Sequence, residues 1–150
     1  MFYYALFVII IGVDQLTKAL VRRGLPLHQT VTVIPGMLSF TRINNPGAAF
    51  GILSHRTFFL TVMPLVLFSL VFLFRKEIAQ YPLSFRFGLA LCLGGAAGNV
   101  IDRLWNGGQV IDFIDLDFWP LDNFPLFNLA DTAIFIGAVL ILICITRLQD

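Results

Sequence analysis

The sequence predicts a membrane all-α protein with a small β element: four transmembrane helices carrying an extracytoplasmic platform. Three observations predict it. Hydrophobic residues make up 58% of the 150 residues and charged residues only 13%, against roughly 45–50% and about 25% in an average globular protein. The apolar residues gather in four runs, each near the ~20 residues that cross a bilayer as a helix. Two long connections separate them, and one alternates apolar and polar residues as strands do.

The first run extends from about Phe2 to Val21 and is closed by Arg22, Arg23 and Gly24. No basic segment precedes Phe2 and no small-residue cleavage site follows, so the run is expected to remain as a membrane helix. Between Gly24 and Thr57, β-branched alternation around Thr30-Val31-Thr32-Val33 and Met37-Leu38-Ser39-Phe40-Thr41 is broken by Pro35-Gly36. That pattern reads as short strands and a turn. The second run covers about Phe58 to Phe74 and stops at Arg75-Lys76-Glu77, and the third begins after Pro82 and covers about Leu83 to Leu104. The second long connection, from about Trp105 to Ala130, opens on the turn signal Asn106-Gly107-Gly108. The fourth run, about Thr132 to Thr146, is short for a span and is expected to start a few residues earlier.

Both long connections follow odd-numbered runs, so they share one side of the membrane, opposite the short link and both termini. Arg75, Lys76 and Arg86 crowd the short link, and Arg147 follows the fourth run. The opposite side carries more basic residues, Arg22, Arg23, Arg42, Arg56 and Arg103, but spread over much longer loops, so basic density rather than raw count favours the termini and the short link in the cytoplasm. No repeat or linker divides the chain, and residues 1–150 are expected to form one domain.

Composition and spacing exclude several functions. The net charge of +1 carries no basic stripe, so no nucleic-acid partner is expected. Cys92 and Cys144 sit in apolar runs as small hydrophobes, and His28 and His55 are isolated. No metal-ligand spacing, serine nucleophile elbow or phosphate-binding loop is present. Of nine acidic residues, only Glu77 is a glutamate. Hydrolytic chemistry, if any, falls to aspartates.

Polar residues near a bilayer are costly and persist where they pair, line a cavity or work. Four clusters fit that description. In Asp14-Gln15-Leu16-Thr17-Lys18, Asp14 and Lys18 lie four apart on one helix face and read as an ion pair stabilising the helix end. The small residues of Arg42-Ile43-Asn44-Asn45-Pro46-Gly47-Ala48-Ala49-Phe50-Gly51 permit close backbone approach or simply a turn. Gly94-Gly95-Ala96-Ala97-Gly98 favours tight helix packing, and Asn99, Asp102 and Arg103 follow on one face. Asp102 and Arg103 read there as a bridge anchoring the bundle. The fourth cluster pairs Asp112, in the apolar run Val110–Ile114, with Asp131, which Asn128 precedes by three residues. Two carboxylates in dry surroundings at one membrane edge share a proton, as an aspartic protease requires. The alternative makes Asp131 a helix N-cap and Asp112 a solvated loop residue.

Together the four clusters resemble the signal peptidase II (lipoprotein signal peptidase) family of bacterial inner membranes. The resemblance rests on Asp14-Gln15-Leu16-Thr17-Lys18, Asn45-Pro46-Gly47-Ala48-Ala49-Phe50, Gly98-Asn99-Val100-Ile101-Asp102-Arg103, Asp112-Phe113 and Phe127-Asn128-Leu129-Ala130-Asp131, in that order along nearly the whole chain. Pro46 fills a variable position of its block. The resemblance implies an aspartic endopeptidase with Asp112 and Asp131 as the catalytic dyad. Supporting or substrate-binding positions fall on Asp14, Lys18, Asn45, Gly47, Asn99, Asp102, Arg103, Asn128 and Ala130. It implies no metal or organic cofactor, and its substrates are prolipoproteins cut immediately before a diacylglyceryl-modified cysteine. It also implies cytoplasmic termini in the inner membrane, a sheet-like cradle outside, and membrane lipids as partners. Nothing demands more than a monomer. A mobile loop around residues 115–124, with exposed Phe118 and Trp119, is expected to cover the dyad. The rival reading is a small proton or cation transporter, which needs ionisable groups through the membrane rather than at helix ends on one side.

Overall fold

The computed structural model describes residues 2–47 and 56–149. Helix α1 spans Phe2–Gly24, strands β1 and β2 span Thr30–Ile34 and Leu38–Asn45, and helix α2 spans Thr57–Leu73. The short α3 (Arg75–Ile78) leads to α4 (Leu83–Trp105), β3 (Val110–Leu116) and α5 (Leu129–Gln149). Among the described residues, three helices are long and apolar enough to cross a membrane: Tyr3–Gly24, Leu83–Trp105 and Leu129–Arg147. The expected second span is present as α2, within one residue at each end. Its helix has 17 residues, or about 25 Å at 1.5 Å per residue, near the lower limit for spanning.

Helix α4 is the centre of the bundle, packed between α1 and α5, with α2 against its side. Glycines on two of its faces set these distances. A Cβ at Gly95 would run into the Ala130 carbonyl oxygen of α5, and one at Gly98 into the Asp14 carboxylate of α1. Only hydrogen in place of a side chain lets α4 lie this close to both neighbours. The sequence therefore brings the polar positions of three helices into one plane. Helix α2 has no buried residue, which suits a helix apolar all round and bathed in lipid.

The three strands form one antiparallel sheet in the order β1-β2-β3. Pro35 and Gly36 make the β1–β2 turn, where Gly36 takes φ 69° and Met37 N–H returns to the Ile34 carbonyl at 3.0 Å. On one face, Thr41 donates to Asp115 at 2.7 Å, Ser39 donates to Asp117, and the Thr30 and Thr41 hydroxyls meet at 2.9 Å. The opposite face carries Asp112, whose register partner is Ile43. Because β2 follows α1, while β3 lies between α4 and α5, pairing of β2 with β3 ties both long connections to the same end of the bundle. This agrees with the expectation that they share a side.

Candidate active site

The site forms where β3 meets the first turn of α5. Asn128 is the residue before α5, and Asp131 is its third helical position. The Asn128 side-chain oxygen accepts the Asp131 N–H at 2.9 Å, and Asp131 Oδ2 accepts the Asn128 N–H at 3.2 Å. This reciprocal pair is a capping box, satisfying two donors that a helix start leaves open. Asn128 is thus the N-cap, and the alternative that made Asp131 the cap is corrected. Asp131 stands one turn in and is half-buried.

With its oxygen committed to the cap, Asn128 turns its side-chain nitrogen to Asp112 Oδ1, at 2.7 Å. Asp112 is 1% exposed, so it is no solvated loop residue. Its Oδ2 accepts from Asn45 Nδ2 at 2.8 Å. Asn45 is oriented in turn, because its own oxygen accepts the Gly47 N–H at 2.8 Å. Burial, and next the nearby Asp131 charge, push the Asp112 carboxyl up to about 7, against the lowering pull of the Asn45 and Asn128 donors and of Lys18. Desolvation penalises the charged form, and a second carboxylate does the same.

Asp131 Oδ1 accepts from Asn99 Nδ2 at 2.8 Å. Asn99 Oδ1 accepts from Lys18 Nζ at 3.0 Å and from Asn128 Nδ2 at 3.3 Å. Lys18 also pairs with Asp14 at 2.9 Å and with Asp102 at 3.0 Å. The expected Asp14–Lys18 pair is present, yet it lies inside the bundle rather than at a helix end, and it includes Asp102. The expected bridge between Asp102 and Arg103 is a correction, since adjacent side chains point about 100° apart around a helix. Asp102 turns to Lys18, while Arg103 turns to the Gly47 carbonyl at 3.0 Å and the Asn99 carbonyl at 3.4 Å.

The two acids of the cluster reach further. Asp14 Oδ1 accepts the N–H of Ala130, and Asp102 Oδ2 accepts the N–H of Ile111, each at 3.0 Å. Ala130 and Ile111 immediately precede Asp131 and Asp112. Every site position expected from the sequence therefore meets in one hydrogen-bonded constellation. One member was missed. Gln15 Nε2 donates to Asp102 Oδ1 at 3.0 Å, the Gly98 carbonyl at 3.1 Å and Asp14 Oδ2 at 3.2 Å. Its signal was a polar amide inside an apolar span. Asp115, in β3, and Asp117, just after it, instead accept from Thr41 and Ser39 of β2. Ala48, Ala49, Phe50 and His55 lie outside the described residues, and among those described no group of three or more His, Cys, Asp or Glu is placed to hold a metal.

The expected loop over the site also shifts. Asp115 and Leu116 are in β3, so the loop begins at Asp117, and Phe118 is half-buried while Trp119 is 85% exposed.

The model of the family Signal peptidase (SPase) II, peptidase A8, matches residues 6–147. Lipoprotein signal peptidases of Staphylococcus aureus strains JH9 and Newman are each 41% identical over 144 residues, covering 95% of this chain and 85% of theirs. Two solved structures of bacterial membrane enzymes are also similar. One has a TM-score of 0.88 at 33% identity, covering 97% of this chain and 87% of its own, and the other 0.83 at 34%, covering 95% and 91%. Sequence and fold agree with the constellation built above, and the chain belongs to the signal peptidase II family.

Proposed function

We propose that this membrane enzyme removes the signal peptides of diacylglyceryl-modified prolipoproteins, with Asp112 and Asp131 as its catalytic dyad. The observation that carries the reading is the shared hold of Asn128 on both carboxylates, one of which keeps its proton to about pH 7. Two such groups take complementary roles. The ionised member removes a proton from water as its oxygen attacks the scissile carbonyl, and the protonated member donates to the carbonyl oxygen. In the tetrahedral intermediate the C–N bond then breaks as the leaving amine takes the proton gained from water, and a hydroxyl of the intermediate returns its proton to the other carboxylate as the carbonyl re-forms. Both steps conserve the single proton of the pair.

The location of the pair supports a lipid-anchored substrate. The site lies at one end of the bundle, beside a sheet that can lie along an extended peptide. The basic residues of the short link support cytoplasmic termini and an extracytoplasmic site. Labelling Asp122→Cys and Lys76→Cys variants with an impermeant maleimide on whole cells tests this: only the first should react. The exposed Trp119 on the loop 117–124 suits contact with lipid or substrate, and we assign that loop as a lid. Unchanged turnover after crosslinking it to β2 would remove the lid from the account. The transporter reading finds no support: α2 contains no charged residue, and α5 carries charge only at Asp131 and Arg147, near its ends.

Mass spectrometry of the cleavage products tests the substrate assignment. A new N-terminus at the lipidated cysteine is expected. Equal cleavage of the unlipidated precursor, or cleavage elsewhere, would count against it.

A further inference from the structure

Lys18 is 2% exposed and touches neither Asp112 nor Asp131. An ammonium carries three donors and no acceptor. All three have partners here: Asp14 Oδ2 at 2.9 Å, Asp102 Oδ2 at 3.0 Å and Asn99 Oδ1 at 3.0 Å. The last contact has consequences two residues away. A side-chain amide facing an ammonium must offer its oxygen, so the Asn99 nitrogen is turned to Asp131. The same oxygen meets the Asn128 nitrogen at 3.3 Å, which leaves the Asn128 oxygen for the Asp131 N–H. Asn128 Nδ2 then lies on Asp112. The ammonium thereby fixes which end of the Asn99 amide faces Asp131, and the Asn128 amide, held also by the Asp131 N–H and the Ile111 carbonyl, follows in the matching sense.

We propose that Lys18 is a positioning residue for peptide cleavage, whose ammonium sets the polarity of the Asn99–Asn128 amide chain so that both aspartates are held as hydrogen-bond acceptors. The inference rests on the dyad reading of the site and goes beyond it. Without Lys18, Asn99 is free to rotate its amide and present oxygen to Asp131, an arrangement that only a protonated Asp131 tolerates. The pair would then keep both protons at a pH where it should carry one. The charged groups bearing on the pair come from every neighbouring element: Lys18 and Asp14 on α1, Asp102 and Arg103 on α4, and the two aspartates themselves on β3 and α5. Lys18 is the cation in direct contact with Asn99 Oδ1.

The test is a kinetic double-mutant cycle on purified, folded enzyme with a lipidated prolipoprotein, using Lys18→Met, Asn99→Ala and both together. Lys18→Met is expected to lower kcat 10- to 100-fold with KM within about twofold, since the residue is remote from substrate. Its pH–kcat profile should move upward, because removing a cation favours the protonated pair. In the Asn99→Ala background the same substitution should cost less than threefold, because its effect passes through Asn99. Should Lys18→Met not fold, Lys18→Met with Asp102→Asn keeps the formal charge of the Asp14–Lys18–Asp102 cluster at −1 and is compared with Asp102→Asn alone. An unmoved pH profile, or effects of Lys18 and Asn99 that multiply, overturns the proposal. Asp131→Asn serves as the control: if it stays active the dyad reading fails, and if it is dead while Lys18→Met is normal, only the role of Lys18 fails.

Discussion

Asn128 Nδ2 lies 2.7 Å from Asp112 Oδ1, and this contact couples the sheet to the helix that carries Asp131. The other polar atoms of the same residue build the capping box of α5. A single asparagine therefore serves fold and site at once. Nearly all of its hydrogen-bonding capacity is spent at 0% exposure.

Asn128→Ala should accordingly damage both. Losing the N-cap and leaving the Asp131 N–H and Asp112 short of partners is expected to cost about 1–3 kcal/mol of stability. Turnover should fall at least 100-fold. Thermal unfolding in detergent and a cleavage assay on the folded fraction separate the two effects. A variant with normal turnover would mean that Asn128 is only a cap.

The raised Asp112 carboxyl gives a second expectation. In the folded protein it keeps its proton to about pH 7, whereas the unfolded chain loses it near about 3.9. The folded state then binds more protons between these values, so stability falls as pH rises through that window. Asp112→Asn removes the loss. The variant should melt above wild type at pH 8, with the gap narrowing toward pH 4. In wild type, kcat should decline above about pH 7 as the pair loses its single proton. Melting curves and a pH–rate profile check both signs.

Gly95→Ala probes the packing that brings α5 to α4. The added methyl meets the Ala130 carbonyl, so the helices must separate where Asn99 reaches Asp131. Overpacking of this kind costs about 1–3 kcal/mol, and turnover should fall with it although residue 95 touches no substrate. A melting temperature and activity equal to wild type would show that the helices have slack there.

Much of this architecture is legible in the sequence, for identifiable reasons. The apolar runs located α1 and α4 to within about three residues, because a bilayer enforces length and composition together. The start of α5 was harder. Asn128, Leu129 and Ala130 read as loop until Asn128 is seen as an N-cap, and the helix then begins at Leu129. The four-residue α3 shows in the sequence only as the charged stop after the second run, since one helical turn has no apolar period. At the site, spacing set Asn99, Asp102 and Arg103 on one face, whereas Asp102 and Arg103 turn to different partners. Lys18 of α1 competes for Asp102 across the helix interface, and only tertiary packing reveals that. The register that sets Asp112 on the same face as Asn45 likewise depends on the β2 bulge between Phe40 and Ile43, which the alternation pattern does not disclose.

The most direct measurement is a gel-shift cleavage assay on a diacylglyceryl-modified prolipoprotein, comparing wild type with Asp112→Asn and Asp131→Asn. Both substitutions keep side-chain size, so the fold should survive. The account predicts that wild type cleaves while both variants are folded and inactive. Near-normal turnover by either variant would contradict the dyad.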